Sequence, residues 1–96
     1  MESYEFEKIC KNAIIEYYKE NGEITDNVEL KIQDVYVVWS CKTLQNHKVL
    51  LSTTLYDGMY FECTYNGDKE EMYLDAYKKW KNICIPKEKF DSEVHQ

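Results

Sequence analysis

The sequence predicts a single α+β domain ordered αββββα, a four-stranded antiparallel β-meander with N-terminal and C-terminal helices packed on one face. Three observations predict it. Between Asp34 and Lys79 apolar and polar residues alternate around three placeable turns, Gln45-Asn46-His47, Tyr56-Asp57-Gly58 and Asn66-Gly67. The N-terminal segment repeats apolar residues at helical spacing. The strand registers put the same apolar side chains on one sheet face, and a one-sided sheet needs a cover.

The first helix is expected over about residues 4–21, with Ser3 as N-cap and acidic residues in its first turn. Phe6, Ile9, Cys10, Ala13, Ile14 and Tyr17 form its apolar stripe. Lys19 suits the last turn, and Gly22 is a natural stop. Residues 22–27 read as a connector. From Val28 to Ile32 the pattern alternates, with Leu30 and Ile32 on one side. From Val35 onward the apolar positions are odd-numbered, so Gln33–Asp34 is a bulge, a kink or a break between strands.

Each turn sets a register. Tyr56-Asp57-Gly58, with glycine at the positive-φ position, pairs Leu55 with Met59, Thr53 with Phe61 and Leu51 with Cys63. Asn66-Gly67 is a two-residue type I′ signal that pairs Tyr65 with Asp68, Phe61 with Met72 and Met59 with Leu74. A three-residue first turn pairs Cys41 with Leu51 and Trp39 with Thr53. One face then holds Val35, Val37, Trp39, Cys41, Val49, Leu51, Leu55, Met59, Phe61, Cys63, Met72 and Leu74. A second helix is expected from Asp75, with Ala76, Tyr77, Trp80, Ile83 and Cys84 turned inward and Pro86 ending it. The domain is thus expected over residues 1–85, with 86–96 a polar, flexible tail.

Composition narrows the function classes. The chain has 96 residues and a net charge of −6, from 18 acidic and 12 basic residues, and all of the basic ones are lysine. That balance argues against a nucleic-acid backbone as partner. Aromatic residues are 15% of the chain, and nine of them are tyrosine. Tyrosine suits surfaces that are dry part of the time. Cysteines at 10, 41, 63 and 84 include no C-x-x-C pair, so they read as reduced core residues rather than a zinc site. No basic-then-apolar leader and no apolar run near the roughly 20 residues of a membrane span is evident. The expectation is a cytoplasmic protein with no membrane contact.

No constellation points to catalysis. Cys41 and His47 flank the first turn, but the register sends Cys41 into the core and leaves His47 in the loop. His95 lies in the tail. Glu62 and Glu71 fall opposite each other on adjacent strands, read as a solvated pair relieved by Lys42 or by a partner's cation. Each of the three glycines has a structural role, which leaves no phosphate-cradling loop. No metal or cofactor is implied. Tyrosines stacked on a sheet can bind RNA, but this face also carries carboxylates.

The opposite face is the candidate site: Tyr36, Val38, Leu50, Tyr60, Glu62, Glu71 and Tyr73. Such a face is either covered by the chain's own tail or Leu30/Ile32 segment, or it is a protein interface. Flatness suits protein contact better than a small-molecule pocket.

The stretch VYVVWSCKTLQN, the DG and YNGDK turns and the run YLDAYKKW resemble an uncharacterised family of small proteins from phages and prophages of Gram-positive bacteria. The resemblance covers roughly residues 4–85. It implies a bacterial host cytoplasm and carries no functional residue, because the family has no assigned activity. The expected function is a non-enzymatic accessory protein acting by protein–protein interaction. Its partner is a host or anti-phage defence protein, or a second copy as homodimer. The alternative is a nucleotide-like small-molecule binding or sequestering protein with a tyrosine-lined site at an oligomer interface.

Overall fold

A nineteen-residue helix lies against one face of a four-stranded antiparallel sheet. The structure, a computed structural model, describes residues 1–21 and 29–94. Gly22 as helix stop, the 22–27 connector, Val28 and His95 lie outside the described residues. The elements are α1 (Ser3–Asn21), a 3-10 turn (Ile32–Asp34), β1 (Val35–Thr43), β2 (Asn46–Thr53), β3 (Met59–Asn66), β4 (Glu71–Lys78) and α2 (Lys87–Val94). The sheet is a meander in the order β1-β2-β3-β4. The αββββα order is as the sequence predicts, but the second helix is elsewhere.

Helix α1 starts one residue earlier than expected: the Phe6 N–H donates to the Glu2 carbonyl at 3.0 Å, so Ser3 is already helical. Its buried stripe is Phe6, Cys10, Ile14 and Tyr18, a strict four-residue repeat. Ala13 and Tyr17 are half-buried beside it, whereas Ile9 is exposed. These side chains meet Val35, Val49, Leu51, Phe61 and Cys63 on the sheet, and Leu30 closes one side. Tyr17 and Tyr18 stack edge-on against Phe61, with ring centroids 5.4 and 5.6 Å away.

The parity change before β1 falls in the 3-10 turn, which begins at exposed Ile32 and separates buried Leu30 from β1. Asp34 ties this turn. Its carboxylate accepts from the Lys31 N–H at 2.9 Å, and its carbonyl accepts from the Thr54 N–H at 2.9 Å.

A β-bulge lies inside β1. Val35 pairs with Thr53 and Val37 with Leu51, but beyond Val38 the register slips by one, so Trp39 pairs with Leu50 and Cys41 with Lys48. Slipping by one sends every later side chain to the opposite face. Trp39 and Cys41, expected in the core, are therefore exposed on the far face. The first turn has two residues, Leu44 and Gln45, with Leu44 at φ 57°. His47 thus leaves the loop expected of it. It enters β2 opposite Lys42 and is buried against Phe6, 5.1 Å between ring centroids.

The other two hairpins keep their faces and change their pairs. Leu51 faces Phe61 rather than Cys63, because residues 54–58 form a longer loop. The Asp57 carboxylate holds this loop: it accepts from the Met59 N–H at 3.1 Å and the Tyr18 hydroxyl at 2.5 Å. Gly58 has φ +70°, as its turn requires. Cys63 faces Leu74, and Asn66 faces Glu71. The expected type I′ turn is instead a four-residue loop, since the Asn66 side chain accepts from the Asp68 and Lys69 N–H groups at 3.1 and 3.2 Å. Glu70 takes the positive φ, 53°. Gly67 serves a close approach: a β-carbon there would collide with the Gln45 carbonyl.

The segment expected to open the second helix is strand. Met72, Leu74 and Ala76 pair with Tyr65, Cys63 and Phe61, and Tyr77 pairs with Tyr60. Residues 79–86 have no regular structure, and helix α2 forms within the expected tail. Trp80, Ile83 and Cys84 are exposed rather than turned inward. Among the described residues only α1 packs closely on the sheet. No helix of the described residues is long and apolar enough to cross a membrane.

Candidate functional site

The sheet face opposite α1 can be read as four cross-strand rows. The first is Tyr36–Ser52–Tyr60–Tyr77 and the second Trp39–Leu50–Glu62–Asp75. The third is Cys41–Lys48–Thr64–Tyr73, and the fourth reaches Glu71 through Thr43, Asn46 and Asn66. Val38, the unpaired bulge residue, is nearly half exposed at the β1 edge.

These rows place every residue expected at the site except Val38, which lies at the bulge. Tyr36 and Tyr60 share one row with Ser52 between them. The Ser52 hydroxyl donates to the Met59 carbonyl at 2.9 Å, so its burial leaves no unpaired group. Leu50 lies half-buried between Trp39 and Glu62. Tyr73, 54% exposed, donates its hydroxyl to Glu71 at 2.6 Å, which raises the pKa of the phenol.

The expected Glu62/Glu71 pair does not exist. The longer loop after Asn66 shifts β4, so Glu62 faces Asp75 and Glu71 faces Asn66. The cation beside Glu62 is Lys48, at 3.2 Å, not Lys42. Both partners are partly exposed, so this bridge orients side chains more than it stabilises.

Sequence reasoning missed Trp39 and Tyr77. Trp39 depends on the bulge, which no residue announces, because Val35-Tyr36-Val37-Val38-Trp39 is apolar in both parities. Tyr77 had a signal: Met72, Leu74 and Ala76 alternate with Tyr73, Asp75 and Tyr77 without interruption.

At the β2–β3 loop end the face sinks into an open groove of about 590 Å³. Tyr36, Ser52, Tyr60, Thr54, Tyr56 and Lys79 line it. The Lys79 ammonium sits 5.6 Å from the Tyr60 ring centroid, within cation–π range. The groove can therefore hold a flat or anionic group, and the rest of the face can bury against a flat surface.

Two titratable clusters lie elsewhere. Cys10 and Cys63 are free thiols buried where α1 meets β3. Cys10 is pushed above its ordinary pKa by its hydrogen bond with Cys63 and then by burial, so it stays a neutral core thiol. Burial lowers the His47 pKa first, followed by the Lys42 ammonium and the N-terminal charge.

A family model described as a family of unknown function, DUF6275, matches residues 7–87, and the chain belongs to that family. No curated protein and no solved structure gives a match.

Proposed function

We propose that this DUF6275 member works by binding another protein through the outer face of its sheet, with no catalysis of its own. One observation carries the reading. Tyr36, Val38 and Trp39 on β1 and Tyr73 and Tyr77 on β4 are each exposed on or beside that face, although all five belong to paired strands of the sheet. Exposed aromatic and apolar area of this kind is characteristic of contact surfaces. Tyrosine and tryptophan lose little side-chain entropy when they dock, which makes them effective anchors. The resemblance of VYVVWSCKTLQN and YLDAYKKW to phage and prophage proteins supports a host or anti-phage defence protein in a bacterial cytoplasm as the partner.

Affinity capture from a Gram-positive host lysate, with mass spectrometry, tests this. The wild-type chain should enrich a defined partner that Tyr36→Glu and Tyr73→Lys both lose while keeping the wild-type far-UV circular dichroism. Variants that retain every partner would overturn the reading.

The Tyr36–Tyr60–Lys79 groove favours a second reading, a small anionic aromatic ligand such as a nucleotide. A thermal-shift screen separates the two, because a ligand at 100 times its dissociation constant stabilises by about 2.7 kcal/mol.

A further inference from the structure

The other face of the sheet leaves a lane uncovered along β4. Its floor is Met72, Leu74 and Ala76, next to Tyr65, Cys63 and Phe61. Met72 and Ala76 are exposed, because α1 lies over β1 and β2 and stops short of β4. The far flank of α1, with Tyr4, Glu7 and Lys11, meets Ile32 and Gln33 on the β1 side. The near flank is therefore Ile9, Ala13, Glu16, Tyr17 and Glu20, and Tyr17 already touches Phe61 on β3. The lane thus has an apolar floor and a wall with two carboxylates. Glu16 pairs with exposed Lys19 at 3.4 Å, a weak pair. Strand β4 is also an edge strand of eight residues with a continuous, unbulged register. Its outer backbone groups can accept another strand.

The chain carries a segment of matching chemistry. After β4, Trp80 is 90% exposed, Ile83 73% and Ile85 58%. From Trp80 to Phe90 there are three lysines, Lys81, Lys87 and Lys89, and one carboxylate, Glu88. Residues 1–75 carry fifteen carboxylates and seven lysines, so arm and body are complementary in charge. Among the described residues no apolar side chain beyond Cys63 is fully buried. The radius of gyration is 16.7 Å, against about 12.5 Å for a compact domain of this length.

The arm does not fill its own lane: Trp80, Ile83 and Ile85 are exposed, and so are Met72 and Ala76 on the lane floor. The Lys79 N–H donates to the Gly58 carbonyl at 2.7 Å, which extends the β3–β4 ladder one residue past Lys78 before the arm begins. We propose that the arm of one copy, from Trp80 to Phe90, occupies the β4 lane of a second copy and that the exchange is reciprocal, giving a two-fold dimer. Trp80, Ile83 and Ile85 would cover Met72, Leu74 and Ala76, with lysines of the arm near Glu16 and Glu20. Reciprocal exchange of an identical element is a common route to such dimers. This surface shares no residue with the outer-face anchors Tyr36, Trp39 and Tyr73, so either proposal can fail alone.

Sedimentation equilibrium on the full chain should give twice the chain mass. An arm variant, Trp80→Asp with Ile83→Asp, and a lane variant, Ala76→Glu, should each be monomeric with wild-type circular dichroism. Mixed together they should associate again, because the lane variant's arm meets the arm variant's intact lane. Met72→Glu replaces Ala76→Glu if the latter does not fold. Tyr36→Glu and Tyr73→Lys should leave the dimer intact. A monomeric wild-type chain, a dimer surviving both sets of variants, or a mixture that stays monomeric overturns the proposal. So does loss of the dimer in the outer-face variants.

Discussion

Phe61 and Tyr77 lie one residue apart on the β3–β4 ladder, yet they belong to different regimes. Phe61 points under α1 and has no exposed surface, packed between Tyr17 and Tyr18. Tyr77 points to the other face and is about half exposed. The contrast extends to whole regions. The part of the sheet beneath α1 holds the core, whereas β4 and the segment after it hold large apolar residues with no cover in the single chain. One region uses its apolar residues for stability, and the other keeps them available for contact.

The largest expected effect tests the covered region. Phe61→Ala should cost about 3–5 kcal/mol in urea unfolding, as deletion of a fully buried ring does. A cost below about 1 kcal/mol would mean that the helix is not closely packed there. Tyr18→Phe comes next. It removes the hydroxyl that holds Asp57 and the β2–β3 loop on α1, at about 1–2 kcal/mol. A double-mutant cycle with Asp57→Asn should show coupling, and additivity would place the loop's anchor elsewhere.

The His47 effect has a sign set by its environment. Its folded pKa lies below the unfolded value near 6.5. The unfolded chain therefore takes up a proton before the folded chain does. Stability should be full above about pH 6.5, fall as the pH drops through that value, and level off once the folded imidazole also protonates. Lys42 faces the ring across the strands, while Phe6 and Tyr65 enclose it, so none of these groups offers the cation a counter-charge. His47→Phe should flatten stability between pH 5 and 7 in thermal melts, and an unchanged slope would assign it to the carboxylates. The smallest effect belongs to the bare region: Tyr77→Thr should shift unfolding by no more than about 0.5 kcal/mol. A larger loss would mean that the outer face also supports the fold.

Much of the architecture was legible in the sequence because side-chain alternation is local and the register shifts of the last two hairpins were even. The β2–β3 register differs from expectation by two residues and the β3–β4 register by four. Even shifts keep each residue on its face, so Leu51, Phe61, Cys63 and Leu74 remain on the helix side. At the candidate site this kept Tyr36, Tyr60 and Tyr73 on the outer face, although the Glu62/Glu71 pairing was lost.

The sequence by itself determined an α+β meander, its first helix and the parity of most strand residues, because turn chemistry and periodicity act within a few residues. Tertiary structure decided the rest. The bulge at Val38 turned Trp39 outward and accompanies His47 beneath Phe6. Pairing with β3 made strand of Tyr73 to Lys78, a run whose spacing also fits a helix. A run apolar in both parities, or one compatible with two periods, has no local preference strong enough to choose. Its neighbours across the sheet make that choice, through ladder hydrogen bonds and the apolar area that one arrangement buries.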